Sequence, residues 1–234
     1  MKNPILVIAF LAIGSAASAE PAPTVDLPAT MAPPTMRPTP FESPELGMPA
    51  NGLPAEELAC RQRLEAAGVK FTPQPPLSDP SGCSAPWPIT VTTLPGNVSL
   101  RPEATMTCAM AEATANFLSE HAQPIAQKLA SSRITAIDQV SAYVCRPRTS
   151  DAAKLSEHAL GSALDWGAVE LANGSLVAVL GYKRDSAHAK LMQALRNAAC
   201  GPFKTVLGPG SDADHTDHFH FDLAQRRNGG TWCR

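Results

Sequence analysis

Proline sets the first limit on this chain: ten of its 23 prolines fall between residues 20 and 54, in runs such as "PAPTVDLPATMAPPTMRPTP". Each locks φ and removes a backbone donor, so this stretch cannot pack as helix or sheet and is expected to be an extended tether. What precedes it is different in kind. Lys2, the apolar run "PILVIAFLAIG" and Ala17-Ser18-Ala19 read as a secretory signal over residues 1–19, cut after Ala19. The run is too short for a permanent transmembrane anchor, and no cysteine follows the cut to carry a lipid. The expected location is periplasmic or secreted. One domain is left, residues 55–234, long enough to bury a single core.

All six cysteines, Cys60, Cys83, Cys108, Cys145, Cys200 and Cys233, lie in that domain. An even count in an exported chain points to disulfides, and pairing of neighbours in order is the expectation: Cys60–Cys83, Cys108–Cys145 and Cys200–Cys233. No closely spaced Cys-x-x-Cys pair is present to suggest a cysteine-held zinc. The formal net charge is -2, without a Lys/Arg cluster, so neither nucleic acid nor an anionic membrane is an expected partner. Nothing in the sequence fixes an oligomeric state.

The domain mixes helices and strands without a regular strand–helix–strand repeat, which predicts α+β: a small antiparallel sheet with flanking helices. "PAEELACRQRLEAAG" reads as a helix stopped by Gly68. Pro102 supplies the first turn of a longer helix through "EATMTCAMAEATANFLSEHA", which Pro124 bends or ends. "ITAIDQVSAYVC" and "GSLVAVL" read as strands, and "DSAHAKLMQALRNAAC" as an amphipathic helix capped by Asp185. "FKTVLG" and "HFHFDL" are the last strands. In the second, period-two alternation turns His218 and His220 to one face and Phe219 and Phe221 to the other.

Chemistry concentrates in two stretches. "HTDHFHFD", residues 215–222, holds three of the chain's six histidines and two aspartates. Alone, it has a plainer account as a solvated polar loop. "LSEHALGSALDWGA", residues 155–168, supplies His158 and, seven residues on, Asp165, with Gly161 and Ala163 small enough to let a loop turn into a strand between them. A catalytic zinc site takes three protein ligands and keeps a fourth position open, and two histidines with a carboxylate are a usual set. His158, Asp165 and one histidine of the other stretch complete such a set, leaving the remaining histidines and Asp217 as proton carriers. His121 and His188 lie far from both stretches and read as ordinary histidines, and Trp166 reads as packing.

"SEHALGSALD", followed about fifty residues later by "HTDHFH", resembles the zinc peptidases that include D-Ala-D-Ala dipeptidases, D,D-carboxypeptidases and the penicillin-insensitive murein endopeptidase. Their shared pattern is S-x-H, six residues, D, then H-x-H, and the hedgehog signalling domain looks like the same fold. Across residues 57–234 the chain most closely resembles the bacterial extensin-like C-terminal domain family, through "VSAYVCRPR", "LSEHALGSALDW", "VLGPGSDADHTDHFHFDLA" and the terminal "CR".

The resemblance implies a hedgehog/peptidase-like fold, a Zn2+ cofactor and peptidoglycan peptides as partners. It implies metal ligation by His158, Asp165 and His220, and it places His215, His218 and His220 on the murein endopeptidase pattern H-x-x-H-x-H. The dipeptidase branch has a Glu three residues before the ligand His, where this chain has Asp217. The candidate bases are therefore His218, His215 and Asp217, in that order, because His218 shares the strand face of His220. The same branch uses an Arg after an S-G-Y-R strand end as its oxyanion cation. Here "SAYVCRPR" offers Arg146 first and Arg148 next, displaced by two residues. Asp222 is expected to pair on the surface, with orientation of a ligand imidazole as its alternative role. Zinc affinity is expected to fall below about pH 6 as the imidazoles protonate. The function implied is an exported zinc metallopeptidase, acting on D-amino-acid-containing stem or cross-link bonds. The alternative is a non-catalytic, metal-stabilised module that binds peptidoglycan or another envelope partner.

Overall fold

The computed structural model describes residues 52–180 and 185–234. The leader expected over 1–19 lies outside these residues, as does the expected tether up to residue 51. Following the chain, α1 (Ala55–Ala66) leads to β1 (Lys70–Pro73), and β2 (Leu77–Ser78) with β3 (Ser84–Ala85) form a small separate ladder. β4 (Ile89–Leu94) and β5 (Val98–Met106) are followed by α2 (Cys108–Phe117), which passes through one π turn (Leu118–Ala122) into α3 (Gln123–Ala130). β6 (Ile134–Ser141) precedes a second small ladder, β7 (Pro147–Arg148) with β8 (Asp151–Leu155). The remainder is β9 (Ala163–Leu171), β10 (Leu176–Ala178), α4 (Ala187–Ala199), β11 (Thr205–Leu207), β12 (Phe219–Asp222) and β13 (Trp232–Cys233).

The class is α+β, but the main sheet is neither small nor wholly antiparallel. It has nine strands among the described residues, in the order β1-β4-β5-β6-β9-β12-β11-β13 with β10 on β9, and the β5–β6 and β11–β13 pairings are parallel. The difference from expectation begins at Pro102. Residues 98–106 form a strand, with Val98, Leu100, Ala104 and Met106 buried in it. Proline is tolerated because it falls where neither neighbour pairs with it: β6 pairs with Ser99–Arg101, and the β4 ladder breaks between Val98–Ser99 and Ala104–Met106. The helix starts instead at Cys108, where the Thr107 hydroxyl accepts the Met110 N–H at 3.3 Å. Likewise Ser186, not Asp185, caps α4, its hydroxyl accepting the Ala189 N–H at 3.1 Å.

One face of the sheet is covered by helices through an aromatic core. Phe117 of α2 lies 5.7 Å from Trp166, 5.4 Å from Phe203 and 5.9 Å from Phe221, and Phe203 stacks on Phe221 at 4.7 Å. Trp166 is packing, as its sequence context predicts. The disulfides are Cys60–Cys108, Cys83–Cys145 and Cys200–Cys233. Only the last follows the order expected. Cys60 joins α1 to the α2 it packs on, and Cys83 joins the segment before β3 to the loop after β6, so pairing follows the fold and not chain order. Among the described residues no helix is long and apolar enough to cross a membrane.

Candidate metal centre

Strand β9 runs between β6 and β12, and its antiparallel register with β12 sets Asp165 directly opposite His220. Within β12 the alternation is the one its sequence predicts, but the strand starts at Phe219 and His218, expected on the same strand face as His220, stands in the bend just before it. Phe219 and Phe221 enter the core, and His220 faces the other way. His158 comes from the short turn Glu157–Leu160, which starts where the Ser156 hydroxyl accepts the His158 N–H at 3.4 Å and ends on Gly161 at φ 64. A Cβ at Gly161 would lie 3.3 Å from Thr107 N, so both conformation and space require glycine there. The chain then enters β9 at Ala163. The seven-residue spacing is thus one turn plus a strand entry, and it carries Asp165 back beneath His158.

His158, Asp165 and His220 are all buried, and each offers a ligand atom within 4.8 Å of the others. His158 Nε2 lies 3.2 Å from His220 Nδ1 and 3.2 Å from Asp165 Oδ2, while His220 Nδ1 is 2.8 Å from Asp165 Oδ1. Tetrahedral zinc with bonds of about 2.0–2.1 Å needs neighbouring ligand atoms roughly 3.3 Å apart. Two nitrogens and one carboxylate at this spacing fit such an ion.

The outward nitrogens are also fixed. His158 Nδ1–H donates to the Ala142 carbonyl at 2.6 Å, leaving the Nε2 lone pair facing the cluster. His220 Nε2–H donates to Asp222 Oδ2 at 3.0 Å, turning Nδ1 inward. Asp222 is buried, so its pairing is internal: the surface pairing expected for it is corrected, and it orients a candidate ligand.

The charges reinforce one another. Burial alone would raise the Asp165 carboxyl, but the adjoining imidazoles of His158 and His220 outweigh it and hold the group below the usual carboxylate range. Burial likewise opposes charge on His220, yet the Asp165 and Asp222 carboxylates push its imidazole up to about 9. Asp222 is lowered, burial being outweighed by its bond to His220. Glu157, beside His158, is raised by burial and then by the Asp222 charge, partly offset by an ion pair with Arg148 at 3.1 Å.

The structure brings His218 and His215 to this cluster. His218 Nε2 is 3.7 Å from Asp165 Oδ2, and its Nδ1–H donates to Asp217 Oδ1 at 2.8 Å. Asp217 is exposed and stands behind His218. The His215 ring lies 5.2 Å from that of His218 and 5.5 Å from that of His220, and its Nδ1 meets Asp212 Oδ1 at 2.5 Å. Sequence reasoning did not single out Asp212; the available signal was its place three residues before a histidine, where its carboxylate also accepts the N–H groups of Asp214 and His215. Arg146 hydrogen-bonds within its own loop, to Pro147 O at 3.3 Å and Thr149 Oγ1 at 3.5 Å, and its backbone carbonyl accepts the Ser156 N–H at 3.1 Å. Arg148 is held by Glu157 and by the Leu155 carbonyl.

A family model described as "Extensin-like protein C-terminus" matches residues 58–234. No curated protein and no solved structure matches the chain.

Proposed function

The chain belongs to the extensin-like C-terminal family, and on that premise we propose that it is an exported zinc metallopeptidase hydrolysing peptidoglycan stem or cross-link peptides at a bond involving a D-amino acid. The observation that supports it most is the set His158, Asp165 and His220, buried with ligand atoms at zinc spacing, with the imidazole of His218 beside it. Among the described residues three groups converge at this spacing, whereas a structural zinc site closes all four positions with protein ligands. The substrate class rests on the resemblance.

A zinc ion held by His158 Nε2, Asp165 and His220 Nδ1 would supply Lewis acidity and activate solvent for attack on a carbonyl. Proton handling falls to His218. Its Nδ1–H is committed to Asp217, so Nε2 presents a lone pair toward the cluster and can take a proton, and Asp217 stabilises the imidazolium that results. His218 then returns the proton to the leaving amine. His215, backed by Asp212, is the second imidazole able to serve. The resemblance assigns the cation for a developing oxyanion or a substrate carboxylate to Arg146, whose own hydrogen bonds stay within its loop, while Arg148 is engaged by Glu157.

The test is incubation of the zinc-loaded protein with muropeptides and mass analysis of the products. New fragments from wild type, lost in His218→Ala, support the peptidase. No cleavage where a known endopeptidase succeeds, with zinc bound, assigns the chain to the rival class: a metal-stabilised module that binds envelope partners without cutting them.

A further inference from the structure

Beyond the three candidate ligands, a line of adjoining polar side chains runs from the surface to His220, and its direction is set at the outer end. Arg226 follows β12 and is partly exposed. Its Nη2 donates to the Thr205 hydroxyl at 2.6 Å. Thr205 is buried on β11, directly opposite Asp222 in the β11–β12 register, which sets its hydroxyl beside the Asp222 carboxylate. Asp222 in turn holds His220 Nε2 at 3.0 Å through Oδ2, and accepts the Ala224 N–H at 3.0 Å through Oδ1.

A guanidinium can only donate. The Thr205 oxygen therefore accepts from Arg226, and its single proton is available only onward, to Asp222. Asp222 is then an acceptor on every side, so Nε2 of His220 must carry hydrogen. In the neutral ring, the lone pair must reside on Nδ1, the atom that faces His158 Nε2 and Asp165. If the hydroxyl were removed, Asp222 would lose a donor in a buried setting and the guanidinium would lose its link to the carboxylate. The imidazole would then be freer to rotate or to take the other tautomer.

We propose that Thr205 and Arg226 are positioning residues of the metal centre: through Asp222 they hold His220 in the tautomer that presents Nδ1 to the ion. This rests on the metal-centre reading above. Neither residue is in the His158–Asp165–His220 set, and neither belongs to the two motif stretches.

The experiment titrates purified protein with Zn2+ against a competing chelator at pH 7.5, for wild type, Thr205→Val, Thr205→Ser and Arg226→Met, with 15N correlation of the His220 ring in the zinc-loaded state. Thr205→Val, which keeps shape and deletes the hydroxyl, should weaken zinc binding by about 10-fold or more, in the range of lost outer-shell partners. Thr205→Ser should restore it, and the Nε2–H signal of His220 should exchange faster in Thr205→Val than in wild type. Arg226→Met changes a partly exposed side chain, so it reports even if Thr205→Val fails to fold, and it should shift affinity and exchange in the same direction. Wild-type affinity and slow Nε2–H exchange in Arg226→Met, with the same result in any folded Thr205→Val, overturn the proposal. Failure of wild type itself to bind zinc sinks the metal centre instead, which keeps the two failures apart.

Discussion

His220 and Asp165 face each other as register partners across β9 and β12, with Nδ1 2.8 Å from Oδ1. Without a metal this contact is a hydrogen bond between an imidazolium and a carboxylate; on the proposed reading the same two atoms would serve as ligands. The pair is therefore prepared for a cation by being held together without one. Asp165→Asn keeps the size of the side chain and removes the charge, and it should lower zinc affinity by more than the roughly 10–100-fold lost with outer-shell partners. Equilibrium competition with a chelator measures this, and an affinity unchanged from wild type would remove Asp165 from the ligand set.

His218 and Asp217 test the division between holding and reacting. His218→Ala should retain zinc and lose turnover, because its Nε2 lies beside the cluster at 3.7 Å from Asp165 Oδ2 without belonging to the buried set. General acid–base catalysis contributes roughly 10²–10⁴-fold, which sets the expected fall in kcat. Asp217→Asn should cost less, since Asp217 acts through His218. Metal content by mass spectrometry and muropeptide kinetics are the two readouts, and an emptied site in His218→Ala would contradict the assignment.

The pH dependence of metal binding should extend well above the pH 6 suggested by unperturbed histidines. Zinc at His220 Nδ1 displaces a proton that the folded, metal-free protein holds up to about 9. Apparent affinity should rise with pH across neutrality and level off near pH 9, with one proton released from this group per ion bound. Stability of the metal-free form follows from the same groups. His220 is raised from 6.5 to about 9, so its contribution is fully present below its unfolded value and is lost as pH rises through 9. Asp165 and Asp222 are lowered, so theirs is present above the ordinary carboxylate range and lost as pH falls through their folded values. Tm of the chelator-treated protein, measured from acid to pH 10, should fall at both ends; a flat alkaline limb would contradict the His220 environment.

Much of this centre is legible in the residues because it rests on local pattern. The His/Phe alternation of 218–221 has only one way to be a strand at a core boundary, and the small residues between His158 and Asp165 permit one turn before a strand. Where reading fails, the deciding fact is remote in sequence. Pro102 matches a helix start, and only the break in the pairing around it makes it acceptable in a strand. Asp222 looks like a surface carboxylate until β11 covers it and supplies Thr205. The Cys60–Cys108 and Cys83–Cys145 pairs follow from packing of α1 on α2 and from the position of the segment before β3. None of these leaves a periodic trace.

Cys83–Cys145 should matter to the metal as well as to stability. Cys145 is three residues beyond Ala142, whose carbonyl fixes the His158 ring, and the adjacent Val144 N–H donates to the His158 carbonyl at 3.3 Å. On the other side, Ala85, two residues from Cys83, lies 3.5 Å from where a Cβ on Gly161 would stand, at the end of the His158 turn. The disulfide thus braces the His158 turn from both flanks. Closing 62 residues of chain stabilises by about 4 kcal/mol on the loop-entropy account. Replacing both cysteines by serine should lower Tm and weaken zinc binding by about 10-fold, the order expected when a ligand's orientation is loosened. Cys200–Cys233 closes 33 residues away from the His158 turn, so replacing both of its cysteines by serine should lower Tm with a smaller loss of zinc affinity. Equal zinc affinities in the two double variants would show that the brace acts on stability alone.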